Sequence, residues 1–524
     1  MMHSQKSLAL RIIQLSIMVV VVALAVRLIS LGLYPLMDTT EARYGEIARI
    51  MAETGNWITP QFDYNVPFWG KPPLHTWLSA ISFKLFGVSE FSARFPHFLT
   101  GMLVLALVWK LAADQGDRIR AAIALAVLAT TVVFSISIGA VMTDTVLLAG
   151  TTLTLVSFWQ SWFRPGAAIW GYLFFVGLAI GLLAKGPITF ILTGIPVFLW
   201  CLPEQRLLTI WSRLPWIKGT CLMLAITVPW YVLAERASPG FLDYFIVGEH
   251  FRRFLVGGWE GDLYGSAHIQ PKGMIWLLWL GAALPWNIVL PLAWWKSRQM
   301  TDSHTSQCTE AANQTRQWRL FLWCWMLSPM LFFTMASNIL WTYVLPGIPA
   351  LALLIADYLG DMVNKMSATG RTVGNPRKLR YWLALPGSLV PLLILVICIT
   401  IKDHKNSAAG ILDVYRQQPD FSFSALYFWP KRPFSGQFYS SGKAIEIRDE
   451  KALLAILDKA VTEPSSQPIY LALKPKDYRR LPPGVQQQLR LIVEGRERSL
   501  WTTNAIQPVN GAREKKDTHR LFDR

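Results

Sequence analysis

Ionisable residues are scarce in this chain, and several stand where an apolar run ends. Asp38, Glu41, Arg43 and Tyr44 open the stretch "DTTEARYGEIARIMAETGNWITP". Lys71 lies in "WGKPPLHTW", Asp144 in "GAVMTDTVLLAG" and Lys185 in "LLAKGPITF". Glu249, His250 and Arg253 share "VGEHFRRFL", and Tyr343 sits in "NILWTYVLPGIP". Charges beside lipid are costly, so a set of them calls for a functional reading. Outward carboxylates with outward cations suit displacement at a carbon that carries a phosphate leaving group. The cations hold the charge that grows on the phosphate, and a carboxylate takes or orients the proton of the incoming oxygen. Sugar transfer from a polyprenyl-phosphate carrier is chemistry of this kind. It needs no nucleotide site, and neither a P-loop nor a dinucleotide fingerprint is present.

The elements that must position these residues are membrane spans. The chain has 524 residues, 53% hydrophobic and 16% charged, with a mean hydropathy of +0.34. Soluble domains carry about 25% charged residues. Ile12–Leu33 is long enough to cross roughly 30 Å of hydrocarbon at about 1.5 Å per residue. It carries Arg27 and no small-residue cleavage site follows it, so an uncleaved first span is expected rather than a signal peptide.

Apolar windows predict about eleven transmembrane helices, at 12–33, 96–113, 121–139, 144–162, 169–184, 187–203, 217–234, 274–295, 320–336, 341–358 and 381–401. The fold class is therefore a mainly α, polytopic membrane protein. Residues 1–401 form the membrane domain, with large outer loops at 39–95 and 235–273. In the first loop, Glu41–Thr54 and Leu74–Phe86 read as amphipathic helices lying on the membrane surface. Residues 402–524 are polar and carry the strand-like runs "SALYFW" and "PIYLALK" around a helix in "DEKALLAILDKA". They predict a small C-terminal α/β domain. The basic end "GAREKKDTHRLFDR" is expected to be disordered, and Thr301–Thr315 to be a plain linker.

Lys and Arg concentrate in alternate loops, which places the N-terminus in the cytoplasm and the polar cluster and C-terminal domain outside. The same rule accounts for most of the +17 net charge, so no nucleic-acid partner is expected. The five Cys show no paired spacing and no metal-ligand pattern.

Each residue also has a plainer reading. Asp38 and Glu41 have the spacing of a capping box, with Asp38 as N-cap. Asp144 can cap its span. Lys71 and Lys185 can be snorkelling anchors, His250 an interfacial histidine, and Arg43 and Arg49 the solvated face of a helix. The class alternative is a transporter or flippase for lipid-linked sugar. Transporters favour paired repeats and polar residues at mid-membrane, and neither is visible here.

"TEARYGEIARIMAETGNWITP", "WGKPPLHTWLSAISFKLFG" and "SARFPHFL" resemble the first outer loop of the protein O-mannosyltransferase superfamily. They are most similar to the bacterial aminoarabinose transferases of lipid A, membrane glycosyltransferases of the GT-C fold. "AKGP", "VGEHFRRF" and "SNILWTYVLPGIPALALL" extend the resemblance to about residue 355. It implies a polyprenyl-phosphate (undecaprenyl-phosphate) sugar donor, inversion, and a site facing the periplasm of a bacterial inner membrane. It implies lipid A or another envelope glycan as acceptor, with protein O-glycosylation as the alternative within the superfamily.

In residue terms the resemblance makes Glu41, Asp144 and Asp38 the candidate catalytic carboxylates. Arg43, Lys71, Lys185 and Arg253 are the donor-phosphate cations, and Tyr44, His250 and Tyr343 the substrate contacts. Two departures matter. Thr40 stands where the family has an Asp, which leaves Glu41 or Asp38 as base. Gly70 stands where a Glu often precedes the Lys, which speaks against a metal site shared with His250. No cofactor is expected.

Overall fold

The computed structural model describes residues 2–164, 168–204, 206–253, 259, 261, 263–264, 269–299, 310–369, 376–400, 406–422, 424–462 and 468–503. The chain separates into two compact units, Met1–Lys402 and Asp403–Arg524.

The first unit is helical. Its helices begin with α1 (Met2–Ser30), α2 (Thr40–Thr54), α3 (Leu74–Phe86), α4 (Glu90–Gln115), α5 (Arg118–Ala129) and α6 (Val132–Ser137). They continue with α7 (Thr143–Phe163), α8 (Ala168–Lys185), α9 (Ile188–Cys201), α10 (Ile210–Arg213) and α11 (Trp216–Ala237). A π-helix, Asp243–Arg252, precedes the helices Met274–Ala282, Trp286–Gln299 and Glu310–Phe333. A 3₁₀ turn, Trp341–Gly347, leads into Ile348–Thr369, and Pro376–Thr400 follows.

Among the described residues, seven helices are long and apolar enough to cross a membrane singly. An eighth span results if Met274–Ala282 and Trp286–Gln299, bent by 88° at their break, are taken together. The apolar windows at 121–139 and 274–295 are thus helical but interrupted. At the first break Thr131 Oγ1 donates to the Val127 carbonyl at 2.7 Å, and Thr130 does the same to Ala126. Such hydroxyl bonds compete with the helical ladder. At the second break stands Pro285, which has no N–H to continue a helix.

Helix α4 sets the scale of the bundle. Arg94 near its start and Asp114 near its end are about 30 Å apart at 1.5 Å per residue, the thickness of the hydrocarbon layer. At the far end Asp114 accepts from Lys110 and Gln160, each at 2.6 Å. Arg319 joins Asp357 at 2.7 Å and also Asp361 there, and Arg120 bonds Asp361. Trp159 packs on Trp318 and Phe321 with ring centroids 4.8 and 4.9 Å apart. These contacts tie the far ends of α4, α5, α7 and the later helices together.

Helix α2 corrects one expectation. It is buried, with Ala42, Ile47, Ala48 and Ile50 fully covered, and does not lie open on a surface. Arg49 is buried as well and forms a fork on Glu46 at 2.7 Å, with further bonds to Glu53 and Tyr64. Two opposite charges three residues apart neutralise each other, so an apparently solvated face can go inside. Gly55, at φ 71°, ends the helix by donating to the Met51 carbonyl.

Helix α3 buries polar as well as apolar side chains and leaves several large apolar ones open. His75, Thr76, Ser79 and Ser82 are buried, whereas Ile81, Leu85 and Phe86 are exposed. Exposed apolar side chains of this kind differ from the polar outer face of a water-facing helix.

The end of α1 is pinned by Arg27. Its guanidinium donates to Ser30 Oγ at 3.0 Å, to the Tyr34 hydroxyl at 3.1 Å and to the Ile136 carbonyl at 3.0 Å. Gly139 makes room for it, because a Cβ there would fall 1.9 Å from the guanidinium.

The second unit carries a five-stranded sheet in the order β4-β3-β5-β7-β6. Its strands are β3 (Ala425–Phe428), β4 (Ile445–Glu446), β5 (Ile469–Leu473), β6 (Arg490–Val493) and β7 (Ser499–Thr502); β1 (Gln61–Asp63) and β2 (Val66–Pro67) are a hairpin in the first unit. β3 runs parallel to β4 and β5, and β7 antiparallel to β5 and β6. The helix Glu450–Thr462 buries Leu453 and Leu457, four residues apart and so on one face, against Leu471 and Leu473. The small α/β domain expected from sequence is present. Thr301–Cys308 and the basic tail lie outside the described residues, and Glu310 already begins a helix.

Candidate active site

At the end of the bundle opposite the Asp114 network, the site begins with Glu41 and Arg94. Arg94 is fully buried, and Glu41 is 8% exposed. Arg94 Nε donates to Glu41 Oε1 at 2.7 Å and its Nη2 to Oε2 at 2.9 Å. The same guanidinium donates to the carbonyls of Leu31, Tyr34 and Pro35. Glu41 also accepts from the backbone N–H of Met37 and of Val141, each at 3.3 Å. Both carboxylate oxygens are thus engaged twice. The capping-box reading does not hold. The N-cap of α2 is Thr39, with no side-chain cap bond, and the Glu41 carboxylate turns away to Arg94. Asp38 stands just before that cap, partly exposed.

Val141 leads into α7 and to Asp144, which is 9% exposed in the first turn. Lys185 Nζ donates to Asp144 Oδ1 at 2.6 Å. Among the described residues Asp144 Oδ2 takes no hydrogen bond. Lys185 also lies over the Tyr343 ring, 4.2 Å from its centroid. The two residues read from sequence as separate anchor and cap are therefore one ion pair joining α7 to α8.

The turn after α8 carries the network onward. Gly186 has φ 86°, and a Cβ there would meet Phe245 at 2.6 Å and His250 at 3.1 Å. The glycine of "AKGP" lets the π-helix close on the end of α8. His250 Nε2 lies 3.1 Å from the Lys185 carbonyl, and Nδ1 lies 2.7 Å from the Phe245 carbonyl. Burial pushes its pKa below the ordinary histidine value, against the pull of those carbonyls.

Beside His250 stands Glu249, which the sequence placed in the cluster without a role. Lys71 Nζ donates to Glu249 Oε2 at 2.8 Å, and Arg253 Nη1 lies 3.0 Å from both carboxylate oxygens. Burial alone would raise the pKa of this carboxyl; Lys71 and Arg253 override it and hold the group at about 2. An aromatic layer holds the cations in place. Arg43 Nη1 donates to the Tyr264 carbonyl at 2.8 Å and lies 5.1 Å from the centroid of the buried Tyr44 ring. Tyr44 packs edge-on to His75 at 4.7 Å, and Phe68 edge-on to Tyr264 at the same distance. Burial pushes His75 well below the usual pKa, and the nearby charges act in the same direction.

One chain of contacts therefore runs from Arg94 through Glu41, the Val141–Asp144 turn, Lys185 and His250 to Glu249, Lys71 and Arg253. Tyr343 joins it at Lys185. Arg43 and Tyr44 flank it on α2. Arg94 and Glu249 are the members that sequence reasoning left without a role. Arg94 lay in the quoted "SARFPHFL", but nothing local links it to Glu41, 53 positions away.

The family description dolichyl-phosphate-mannose-protein mannosyltransferase matches residues 10–245. An undecaprenyl phosphate-alpha-4-amino-4-deoxy-L-arabinose arabinosyl transferase of Enterobacter sp. (strain 638) is 29% identical over 71% of this chain and 62% of its own length. The enzyme of that name from Aeromonas hydrophila is 29% identical over 64% of this chain and 58% of its own. The match thus spans about three fifths of these curated relatives. In fold, the chain is similar to ArnT from Cupriavidus metallidurans bound to undecaprenyl phosphate. The TM-score is 0.70 at 20% identity, over 94% of this chain and 98% of that one. The chain thus resembles the mannosyltransferase family over a little less than half of its length. Its fold is that of ArnT, the GT-C fold.

Thr40 and Gly70 are the two positions that depart from the pattern the resemblance implies. A side chain at position 70 would meet the Phe68 ring at 2.8 Å. Both His250 nitrogens face carbonyl oxygens, so neither ring nitrogen is turned to an open position where a metal could sit. Among the described residues no group of three His, Cys, Asp or Glu is arranged for one. These residues do not fit the metal site considered from sequence.

Proposed function

We propose that the chain moves a sugar from an undecaprenyl-phosphate or similar polyprenyl-phosphate carrier to lipid A or another envelope acceptor, with inversion. The observation that carries the proposal is the joining of Lys71, Arg253 and Asp144 into one partly buried network at one end of the bundle. The names of the relatives, and the undecaprenyl phosphate in the ArnT structure, support the choice of donor.

In this reading Lys71, Arg253 and Arg43 meet the donor phosphate. Attack on the anomeric carbon expels polyprenyl phosphate, and charge-assisted contacts from the cations stabilise the oxygen that leaves. Asp144 orients or accepts the proton of the acceptor through Oδ2, while Lys185 holds its other oxygen. Tyr44, His250 and Tyr343 line the site. Glu41, with both oxygens engaged, positions the Asp144 turn, and Asp38 is the alternative carboxylate. Residues 1–401 are the catalytic membrane domain, with the site facing the periplasm of a bacterial inner membrane, and residues 402–524 are a periplasmic α/β domain.

Two measurements test this. In proteoliposomes holding only this protein and a polyprenyl-phosphate sugar, the wild type transfers sugar to acceptor lipid. Lys71→Met loses donor binding while inserting and extracting normally, and Arg43→Lys is also impaired because a planar fork is replaced by a point charge. Wild-type turnover in both variants would reduce the two cations to membrane anchors. Reporter fusions at Arg213 and Gly410 should give opposite signals, cytoplasmic and periplasmic respectively; matching signals would reject the orientation.

A further inference from the structure

The sheet of the C-terminal domain has one strongly basic end. There β3, β4, β5 and β6 finish and β7 starts, as their pairing requires. Over residues 429–433, 446–451, 474–480 and 494–498, that end carries ten cations and six carboxylates. Seven of the cations are exposed, but of the carboxylates only Asp449 and Glu494 are. Glu446 accepts from Arg448 and from the Arg432 amide, and Glu497 pairs with Lys474 and Arg498. Asp477 is buried, 3.9 Å from Arg480. Arg480 in turn lies 5.9 Å from the Trp429 ring centroid, which joins the turn after β5 to the turn after β3. Among the described residues, Lys431, Lys476, Arg479 and Arg496 have no ion pair.

The chain enters the domain at this same end. The Ala408 N–H donates to Ser435 Oγ at 2.9 Å, in the first turn of the helix Phe434–Tyr439 that follows the β3 turn. Ile411, in the helix Ala409–Arg416, lies against the turn between β6 and β7, where a Cβ on Gly495 would fall 2.9 Å from it. That helix then runs to the opposite end, where the Tyr415 hydroxyl donates to the Ser424 carbonyl just before β3. Its charges, Asp413 and Arg416, pair with each other. Thr400 ends a helix long and apolar enough to span a membrane. The eight residues from there to Ala408 reach at most about 28 Å when fully extended. The cations are thus gathered at the end by which the domain is tethered to the bilayer. A basic surface kept only for solubility has no reason to favour that end.

We propose that this basic end rests on the phosphates of anionic lipid headgroups at the bilayer surface. Gathered cations repel one another, and phosphates lying opposite offset that repulsion. A negatively charged leaflet attracts Lys and Arg held close to it. The attraction fades within about 8 Å at physiological ionic strength, so it acts only on a domain kept at the surface, which a short tether ensures. The contact is one of charge, with no bond made or broken. It does not depend on the sugar transfer proposed above.

The test is lysine acetylation of the full chain in lipid nanodiscs, read residue by residue by mass spectrometry. One set of discs holds phosphatidylcholine alone, the other phosphatidylcholine with phosphatidylglycerol. The anionic lipid should slow labelling of Lys431 and Lys476 at least about fivefold, whereas exposed Lys443, at the opposite end of the sheet, should change less than about twofold. At about 1 M salt, where the Debye length falls to about 3 Å, the difference should vanish. Arg479→Gln combined with Arg496→Gln should reduce the protection of both lysines to below about twofold. Equal labelling in the two lipids overturns the inference. So does protection that survives salt or the double variant in full, because the cover would then not depend on charge. Should the variant not fold, the wild type and its salt dependence decide alone. Glucose 6-phosphate added to the neutral discs is the second probe. If it protects the two lysines as well as the anionic lipid does, this end takes a free phosphorylated sugar and the bilayer assignment fails.

Discussion

Replacing Arg94 with methionine is expected to destabilise the membrane unit by about 3–5 kcal/mol, the usual result of removing one partner from a buried ion pair. Arg94 is fully covered and holds both Glu41 oxygens, so its loss leaves a buried carboxylate without its counter-charge. Glu41→Gln should have an effect of similar size, because the guanidinium is then the orphan. The double variant, Glu41→Gln with Arg94→Met, buries no net charge and should be more stable than either single variant. Thermal unfolding in detergent measures all three. Activity should follow stability across the series, since Glu41 acts by holding Val141 and the turn that carries Asp144. A stable but inactive Glu41→Gln would instead return the role of base to Glu41.

Asp144→Asn should lower turnover by roughly 10²–10⁴ with a hydroxyl acceptor, the range for loss of a general base. The single variant also strands the Lys185 charge, so stability must be separated from chemistry. Adding Lys185→Met removes the stranded cation and should restore the melting temperature without restoring turnover. Recovery of turnover in the double variant would show that Asp144 is only a counter-ion. Asp38→Asn serves as the comparison, and a dead Asp38→Asn beside an active Asp144→Asn would move the base to Asp38.

The membrane architecture was legible because hydrocarbon demands long apolar runs whatever their partners. The small α/β unit was legible for a related reason: Leu453 and Leu457 announce a buried helix face by spacing alone. The site was legible as a set of residues but not as pairs. Asp144 and Lys185 were each singled out, and only the packing of α7 against α8 shows them to be one ion pair. Helix α2 was misread because Glu46 and Arg49 look like surface charge in one dimension, while in three they cancel inside. Arg94 carried no local mark, since its partners are Glu41 and three carbonyls between Leu31 and Pro35. Nor does sequence show that both Glu41 oxygens are taken.

The Arg27 anchor bears on how the protein is made. The guanidinium emerges within the first apolar segment, and the Ile136 carbonyl that receives it lies 109 residues later in the chain. Arginine inside a helix costs about 2.5–3.5 kcal/mol at the centre of a membrane segment and less near an end. Helix α1 therefore enters the bilayer with a charge that only Ser30 and Tyr34 can attend to. Its final seat waits for α6 and the turn after it to be synthesised and docked. The turn after α6 also delivers the Val141 amide to Glu41. Seating of the first helix and seating of Glu41 thus belong to one event in biogenesis, after α1 to α5 have been made.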